Sequence, residues 1–233
     1  MKLTSRDIAR LIDISAVQAS HGAAEIRELV ANAKEHRFAA VHVLPCWVTF
    51  LKELLADGAE DILIGAPVGF PSGAHRTEIK LAEARMLIQD GVQEMDMMLN
   101  VGKLRSGEHR YCEEEIRAVV KAAGSVPVKV IIEVHYLNRE QLKKACEVCI
   151  DGGAAVIKTA TGWAPSGATL DAVQFITSFV GSAIKVKAAG SIRNLDTLVK
   201  MYRMGVARFG INLHSSVGIV RSVAALPGGA VEI

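Results

Sequence analysis

Residues 154–162 read Ala154-Ala155-Val156-Ile157-Lys158-Thr159-Ala160-Thr161-Gly162, an apolar run that ends in a lysine and a loop of small residues. The run lacks the alternation of a half-exposed strand and is typical of a parallel strand covered on both faces. The ammonium group of Lys158 is therefore expected at the end of a buried strand, where its loss of hydration must be offset. Losing the proton is the simplest way, and a neutral lysine amine can form a Schiff base with a carbonyl substrate.

Short apolar runs of the same kind recur along the chain and alternate with helical patterns. This alternation predicts an α/β fold, a (β/α)8 TIM barrel, formed by a single domain over residues 1–233. In such a barrel, active groups lie at the carboxyl ends of the strands. The predicted strands are Leu11–Ile14, Ala39–Leu44, Ile62–Ala66, Glu94–Leu99, Val128–Val134, Ala154–Thr159, Ala183–Ala188 and Ala207–Ile211.

Helix signals between these strands are clearest at two asparagines. Asn138 and Asn194 each precede an amphipathic pattern and are predicted N-caps, and Gly205 is placed to end the second helix. Cys146 and Cys149 form a CxxC on the apolar stripe of the first helix, so we interpret them as buried hydrophobic residues rather than a redox pair or half of a zinc site. Another predicted apolar stripe consists of Ile79, Ala82, Met86 and Leu87.

Composition limits the classes of function. The 233 residues include 27 lysines and arginines against 25 acidic residues, for a formal charge of +2, so we expect no nucleic-acid and no membrane partner. The chain shows no transmembrane-length apolar run, no secretory signal and only four scattered cysteines, which predicts a cytoplasmic protein. The seven histidines lack zinc-binding spacing, and no metal site is expected.

A second lysine follows on the next predicted strand. Because adjacent strands would bring Lys158 and Lys187 into one barrel mouth, the charge of Lys187 would favour the neutral form of Lys158. Either lysine alone would more often reach the rim or pair with a carboxylate, but the pair on neighbouring strands indicates catalysis. Lys185 is expected on the same side as Lys187, either deeper or paired with Glu133 or Asp96.

Asp96 lies in a methionine-rich strand. A reaction at the carbon beside an imine needs a proton relay, and an aspartate acting through a water is suited to it. A structural ion pair with Lys185 or Lys187 is an equal alternative, and the two roles are compatible. Glu94, two residues earlier, is expected to face the helical layer or solvent.

Small residues follow the last three predicted strands, where barrels commonly bind phosphate through backbone N–H groups. A lone glycine after a strand more often marks only a turn. Taken together, these segments predict a substrate and phosphate site that consists of Thr161, Gly162, Gly190, Ser191, Ser215 and Ser216.

Several segments resemble the 2-deoxy-D-ribose-5-phosphate aldolase family. Ile157-Lys-Thr-Ala-Thr-Gly162, with residues 164–170, resembles its Schiff-base segment, and Val186-Lys-Ala-Ala-Gly-Ser-Ile-Arg193 resembles its second lysine motif. The resemblance runs from about Leu11 to Val220, and the motifs occur in the family's order. The other matching segments are residues 64–74, residues 94–100 with Gly102, and residues 129–133.

This resemblance implies a class I aldolase, an aldehyde-lyase that reversibly splits 2-deoxyribose 5-phosphate into acetaldehyde and glyceraldehyde 3-phosphate. It implies that Lys158 forms the imine, Lys187 perturbs Lys158 and Asp96 relays protons, without metal or organic cofactor. The implied partners are small aldehydes and phosphosugars. A homo-oligomer is expected for a small barrel of this kind.

The chain departs from the family pattern where substrate is decided. Ser191 stands where the family usually has a second glycine, and the loop at residues 210–216 is longer than the family's, which alters the predicted phosphate site. Residues 13–16 and 41–45 also differ, as do His135 and Trp163, and these differences predict a shifted acceptor specificity. For His42, His135 and His214 a packed or exposed histidine is favoured over a substrate ligand.

Three other functions fit the same residues. The first is a Schiff-base aldolase that acts on a different aldehyde or phosphosugar. The second is a phosphosugar isomerase or epimerase that uses Asp96 as a base without covalent catalysis, and its activity would survive replacement of Lys158. The third is a barrel that has lost catalysis and serves in binding or sensing, and it would turn over no short aldehyde.

Overall fold

The computed structural model describes residues 1–59 and 61–233. The strands are β1 (Lys2–Thr4), β2 (Ile12–Ala16), β3 (Ala40–Val43), β4 (Leu63–Val68), β5 (Glu94–Met98), β6 (Val128–Ile131), β7 (Val156–Lys158), β8 (Lys185–Ala189), β9 (Arg208–Asn212) and β10 (Ala230–Glu232). The helices are α1 (Ser5–Ala9), α2 (Ala23–His36), α3 (Val48–Leu55), α4 (Thr77–Asp90), α5 (Val101–Arg105), α6 (His109–Ala123), α7 (Arg139–Asp151), α8 (Leu170–Val180), α9 (Leu195–Arg203) and α10 (Leu213–Ala224).

The predicted (β/α)8 barrel is confirmed. Strands β2 to β9 are parallel and hydrogen-bonded in chain order, and β9 pairs with β2 to close the barrel. The apolar strand residues are buried between the barrel interior and the outer helices, which explains why their sequences lack alternation. This closure brings the carboxyl ends of all eight strands to one rim.

The fifth barrel strand, β6, ends earlier than its apolar pattern predicts. Glu133 has a left-handed backbone (φ 49°), and a short helical turn at Val134–Tyr136 follows it, so the extended conformation stops at Ile131 instead of Val134. A left-handed conformation is unfavourable for a residue with a Cβ and persists only where the surroundings hold it. The turn directs the Glu133 carboxylate to the loop after β7.

The chain ends pair with each other outside the barrel. β1 and β10 form an antiparallel ladder in which Leu3 is opposite Val231. Sequence patterns did not indicate these strands, because each has three residues and none of them is fully buried. The pairing holds the chain ends beside α1 and α10.

Two predicted helix starts are confirmed. The Asn138 side chain accepts a hydrogen bond from the Gln141 N–H (2.9 Å), and the Gln141 side chain accepts one from the Asn138 N–H (3.1 Å), which forms a capping box. Asn194 caps α9 through the Thr197 N–H (2.9 Å). Gly205, with φ 97°, follows the end of α9.

The CxxC cysteines are buried on α7 and unpaired, as predicted. Burial raises the pKa of the Cys146 thiol to about 12 and that of Cys149 well above its ordinary value. A thiol that stays protonated is a poor nucleophile and a poor metal ligand. These cysteines therefore act as small core residues.

The apolar stripe predicted for α4 is wrong for Ile79, Ala82 and Met86 and correct for Leu87. Ile79 is 56% exposed and Met86 is 63% exposed, and the buried face is formed by Lys80, Ala84 and Leu87. Lys80 can face inward because its ammonium group lies 2.7 Å from the Glu115 carboxylate on α6. A periodicity argument places lysine on the polar face. Because of this ion pair, α4 buries a different face from the one that the sequence suggested.

We expect Lys80→Met to lower the free energy of unfolding by about 3–5 kcal/mol, because it leaves the buried Glu115 charge without a partner. Urea unfolding would measure the change. Lys80→Met combined with Glu115→Leu removes both charges and should be less destabilised than the single variant. Equal stability of the two variants would contradict this account.

Candidate active site

A cavity of about 270 Å³ opens at the carboxyl ends of the barrel strands. It brings together most of the site residues that the sequence predicted. Sequence reasoning missed other polar residues of its wall, among them Ser15, Gln18 and His21, which belong to β2 and the loop that follows it. The predicted residues that line the cavity are Asp96, Lys158, Lys187, Thr161, Gly162, Gly190 and Ser191.

Lys158 is the last residue of β7, directly opposite Lys187 of β8 in the ladder. Its ammonium nitrogen lies 2.7 Å from Asp96 Oδ2. Burial lowers the pKa of Lys158 below its ordinary value, and the positive charge of Lys187 adds to that effect, although Asp96 opposes it. The geometry thus favours a neutral amine at Lys158.

The pKa of Lys187 shifts in the opposite direction to that of Lys158. Its side chain is 1% exposed, and its ammonium nitrogen lies 2.6 Å from Asp13 Oδ2 and 3.1 Å from Asp96 Oδ2. Burial would lower its pKa, but the charges of Asp13, Asp96 and Glu94 outweigh burial and raise it. Lys187 therefore stays protonated, and Lys158 is the lysine that can react as an amine.

Asp96 is the carboxylate that the lysines share. Its Oδ2 accepts hydrogen bonds from Lys158 and Lys187, and its Oδ1 accepts one from Lys129 (3.2 Å). Burial opposes ionisation of this carboxyl group, but Lys129, Lys158 and Lys187 outweigh burial and hold its pKa well below the usual range. The ion-pair alternative is thus present in the structure, in a form compatible with a proton relay.

Glu94 does not face the helical layer or solvent, as its sequence context suggested. It is 3% exposed inside the barrel, where its Oε1 lies 2.6 Å from Lys129 Nζ and 2.7 Å from His42 Nε2. Residues two apart on a strand share a face, so Glu94 lies on the same side as Asp96. That spacing was the signal that could have placed it correctly.

Lys185 also differs from its prediction. It is the first residue of β8, and it is exposed, whereas Lys187 is buried. In the part of the chain that the structure describes, Lys185 makes no ion pair with Glu133 or Asp96. Position along the strand decides this, because Lys185 lies at the amino end of the barrel, where a long side chain reaches solvent.

His42 is packed within a group of charges, as predicted, and it also lines the cavity. The imidazole lies near Asp13, Glu94 and Asp96, and burial is the main reason why its pKa is lowered. One ligand atom from each of Asp13, His42 and Glu94 lies within 4.8 Å of the others, as a metal site would require. However, Asp13 is already paired with Lys187 and Arg208, and Glu94 with Lys129, so both carboxylates are neutralised without a metal ion.

Thr161 is held by the buried carboxylate of Glu133. The Thr161 hydroxyl donates a short hydrogen bond to Glu133 Oε2, and its N–H lies 3.2 Å from the same oxygen. Burial raises the pKa of Glu133, although the bonds from Thr161 oppose that shift. Glu133 thereby fixes the loop that begins directly after Lys158.

The loops after β7 and β8 meet tightly at one side of the cavity. A Cβ on Gly167 would lie 2.5 Å from the Gly190 Cα, so the close approach needs glycine. Ser191 has a left-handed backbone (φ 64°), and its Oγ accepts a hydrogen bond from the Gly167 N–H (3.1 Å). Arg193 follows in the same loop and lines the cavity.

Ser215 and Ser216 are not among the residues that line this cavity, unlike the other predicted site residues. Helix α10 begins at Leu213 and winds both serines into its first turn. The Ser216 hydroxyl is buried and donates to the Asn212 carbonyl (2.9 Å), and the Ser215 N–H donates to Asn212 Oδ1 (2.9 Å). Asn212, which caps the helix, lines the cavity in their place.

His135 and His214, the other two histidines considered as substrate ligands, lie outside the cavity lining. His135 Nδ1 lies 2.6 Å from the Ser166 hydroxyl, and the His214 side chain is on the outer surface of α10. Both positions agree with the prediction that these residues are packed or exposed.

A parallel (β/α)8 barrel with a lowered-pKa lysine at a strand end, beside a second lysine and a shared carboxylate, defines the class of Schiff-base aldolases. The DeoC/LacD family aldolase profile matches residues 10–212. The chain belongs to this family.

Known relatives agree with this assignment. The deoxyribose-phosphate aldolase of Rhizobium meliloti (strain 1021) is 49% identical over 99% of this chain and 93% of its own length. The structure of an aldolase designated QR15 is 36% identical, with a TM-score of 0.86 over 93% of this chain and 95% of its own. The tetrameric deoxyribose phosphate aldolase from Aeropyrum pernix is 25% identical, with a TM-score of 0.86 over 96% of this chain and 94% of its own.

Across residues 1–59 and 61–233, no helix combines the length and the apolar character that a membrane span requires.

Because the charge of Lys187 lowers the pKa of Lys158, we expect Lys187→Met to raise that pKa and move the pH dependence of imine formation to higher pH. The neutral amine is the reactive form, so the rate of imine formation at neutral pH should fall about tenfold or more. Borohydride trapping with acetaldehyde across a pH series would measure the midpoint. An unchanged midpoint would contradict the coupling.

Proposed function

We propose that this protein is a class I aldolase that reversibly cleaves 2-deoxy-D-ribose 5-phosphate into acetaldehyde and D-glyceraldehyde 3-phosphate. The observation that carries the proposal is the partly buried Lys158 amine, 2.7 Å from Asp96 and opposite the protonated Lys187. The family assignment and the activity named for the relatives support the same reaction. An aldehyde carbon is the electrophile that a neutral lysine attacks.

In the first step, the Lys158 nitrogen attacks C1 of the open-chain sugar and the adduct loses water, which forms an iminium ion. Proton transfers to and from the C1 oxygen accompany this step. Lys187 stays protonated beside it, and burial together with the charge of Lys187 lowers the pKa of free Lys158. The iminium is a stronger electron acceptor than the original carbonyl group.

In the second step, the C3 hydroxyl loses its proton and the C2–C3 bond breaks. The bond electrons move to C2, which becomes part of an enamine on Lys158, and C3 becomes the aldehyde carbon of glyceraldehyde 3-phosphate. Asp96 is ionised and lies next to Lys158, so it is placed to receive the proton through a water. Return of a proton to C2, then hydrolysis of the iminium, releases acetaldehyde and regenerates the lysine.

We assign the phosphate end of the substrate to the sector of the cavity above β8 and β9. Gly190, Ser191, Arg193 and Asn212 line this sector. The Arg193 guanidinium group can form paired hydrogen bonds with phosphate oxygens, and the loop after β8 can supply backbone N–H donors. Thr161 and Gly162 would contact the carbon chain nearer to Lys158.

The rival without a covalent step has less support. That reaction gives no chemical role to the Lys158 amine, which lines the cavity with a lowered pKa, directly opposite Lys187. An aldolase with another acceptor keeps the same chemistry and is distinguished by its substrates.

We further propose a single-domain cytoplasmic enzyme that forms a homo-oligomer. All four cysteines are free, which suits a reducing compartment, and a phosphorylated sugar is charged and does not cross a membrane unaided. The relative from Aeropyrum pernix is tetrameric, which supports self-association. Sedimentation of the purified chain would give its oligomeric state.

Borohydride reduction in the presence of acetaldehyde or 2-deoxyribose 5-phosphate should attach each compound to Lys158, located by peptide mass spectrometry. Lys158→Ala should lose the adduct and at least about a thousandfold of the activity, because covalent catalysis is removed. Lys185→Ala is the matched control, since Lys185 is an exposed lysine of the neighbouring strand. An active Lys158→Ala variant would favour the non-covalent rival, and an adduct from acetaldehyde alone would point to a different sugar.

Arg193→Met should raise KM for 2-deoxyribose 5-phosphate about tenfold or more, because a charge-assisted hydrogen bond to the phosphate is lost. The kcat/KM for unphosphorylated 2-deoxyribose should change by less than about twofold, since that substrate has no such bond to lose. Lys200→Met, an exposed cation on α9, is the control. Equal losses for both sugars would contradict the assignment of Arg193 to the phosphate.

A further inference from the structure

The imidazole of His42 lies at the cavity with a fixed orientation. The side chain belongs to β3, is almost fully buried and lines the cavity beside Asp96. Its Nε2 lies 2.7 Å from Glu94 Oε1, and its Nδ1 lies 3.7 Å from Asp96 Oδ2. The ring occupies the space beside Gly65, where an added Cβ would lie 2.3 Å from the imidazole. Nε2 is thus held towards Glu94 and Nδ1 towards Asp96.

His42 is neutral before a substrate binds. Burial lowers its pKa, and the charges of Lys187 and Lys129 add to that effect, although Asp96 and Glu94 oppose it. Burial would raise the pKa of Glu94, but the bond from His42 and the charge of Lys129 lower it to about 2. An ionised carboxylate only accepts hydrogen bonds, so the single N–H of the neutral imidazole is on Nε2. Nδ1 therefore carries a lone pair and is a base next to Asp96.

Apart from Lys158, the charges around His42 in the described residues balance. Three carboxylates pair with three cations, namely Asp13 of β2, Glu94 and Asp96 of β5, Lys129 of β6, Lys187 of β8 and Arg208 of β9. An iminium ion on Lys158 adds one positive charge. When the C2–C3 bond breaks, the iminium becomes a neutral enamine and the proton of the C3 hydroxyl must be held elsewhere. A proton on His42 would leave the net charge of the site unchanged.

Asp96 lies between the two positions of this positive charge. Its Oδ2 is 2.7 Å from Lys158 Nζ and 3.7 Å from His42 Nδ1. A single water can donate one hydrogen bond to each of two acceptors at this spacing, so Asp96 and His42 can bind the same relay water. Burial opposes ionisation of Asp96, but its three lysine partners hold its pKa well below the usual range. Of the two acceptors, the imidazole is therefore the one that can keep a proton.

We propose that His42 Nδ1 holds the proton of the relay while the enamine exists, with Asp96 orienting the water. The C3 hydroxyl gives its proton to this water, which gives one of its own protons to Nδ1. The electrons of the O–H bond form the C3 carbonyl group, and those of the C2–C3 bond form the enamine. The imidazolium then returns a proton through the water to C2, which restores the iminium and the neutral imidazole. This inference rests on the proposed function, in which Lys158 forms the imine.

Deuterium exchange of acetaldehyde in D2O isolates this proton transfer, because the enzyme forms the enamine without any acceptor. NMR measures deuterium entry into the methyl group, and borohydride trapping measures the fraction of Lys158 present as imine. The exchange rate divided by that fraction should fall about a hundredfold in His42→Gln. Glutamine can still donate to Glu94 but supplies no base at the position of Nδ1. His135→Gln, which changes a histidine outside the cavity lining, should exchange like wild type.

The pH dependence separates proton acceptance from a purely structural role. Only the neutral imidazole accepts a proton, and its pKa is lowered, so wild-type exchange per imine should fall on acidification with a midpoint below about 6.5. This acid limb should be absent from His42→Gln. Dividing by the imine fraction removes the titration of Lys158 from the comparison.

A normalised rate in His42→Gln within threefold of wild type would overturn the proposal, as would an equal loss in His135→Gln. An acid limb that persists in His42→Gln would also overturn it. If His42→Gln does not fold and forms no imine, the wild-type profile decides, and a profile without an acid limb overturns the proposal.

Borohydride trapping distinguishes this failure from failure of the proposed function. If acetaldehyde leaves no label on wild-type Lys158, the proposed function fails. If Lys158 is labelled in wild type and in His42→Gln and their normalised exchange rates agree, only the role of His42 fails.

Discussion

One carboxylate organises the site. Asp96 accepts hydrogen bonds from Lys129, Lys158 and Lys187, and the barrel must enclose these four ionisable groups largely away from water. Enclosure is costly for each charge alone and tolerable only when the charges are balanced and well placed. The lysines differ in their further partners. Lys187 is also paired with Asp13, whereas Lys158 pairs with Asp96 and lies at the cavity. This difference in carboxylate partners explains why the pKa of Lys187 rises while that of Lys158 falls.

Around this charge network, buried polar groups hold strand ends and loops in place. Glu133 leaves β6 in a left-handed conformation and holds Thr161, which in turn holds Trp163 above the cavity. Behind β5, the Lys80 ammonium pairs with Glu115 and donates to the Met98 carbonyl (2.9 Å) at the strand end. Both arrangements use a buried polar group to fix a strand end or a loop. Such supports keep the amine and the carboxylate within hydrogen-bonding distance through the steps of the reaction.

Several local features of this chain shape the barrel around the site. His42 fills the space beside Gly65, where an added Cβ would lie 2.3 Å from the imidazole, so the histidine needs a glycine on the neighbouring strand. Ser191 adopts a left-handed backbone that glycine would adopt more easily, and its hydroxyl accepts a hydrogen bond from Gly167 as compensation. Helix α10 follows β9 without a connecting loop, and Asn212, the last residue of β9, both caps the helix and lines the cavity. These features leave the lysines and Asp96 in position.

The sequence by itself determined the order of strands and helices, and with it the barrel, because buried parallel strands and capped helices have local signatures. It also determined that Lys158 and Lys187 would lie side by side, since both lie toward the ends of neighbouring strands. Only the tertiary structure decided how far along the barrel each polar residue lies and which partner meets it there. Lys185 is exposed and Glu94 buried for this reason, and the Lys80–Glu115 pair turned α4 against its apolar pattern. The physical reason is that periodicity gives the direction of a side chain, whereas burial of a charge depends on partners distant in sequence.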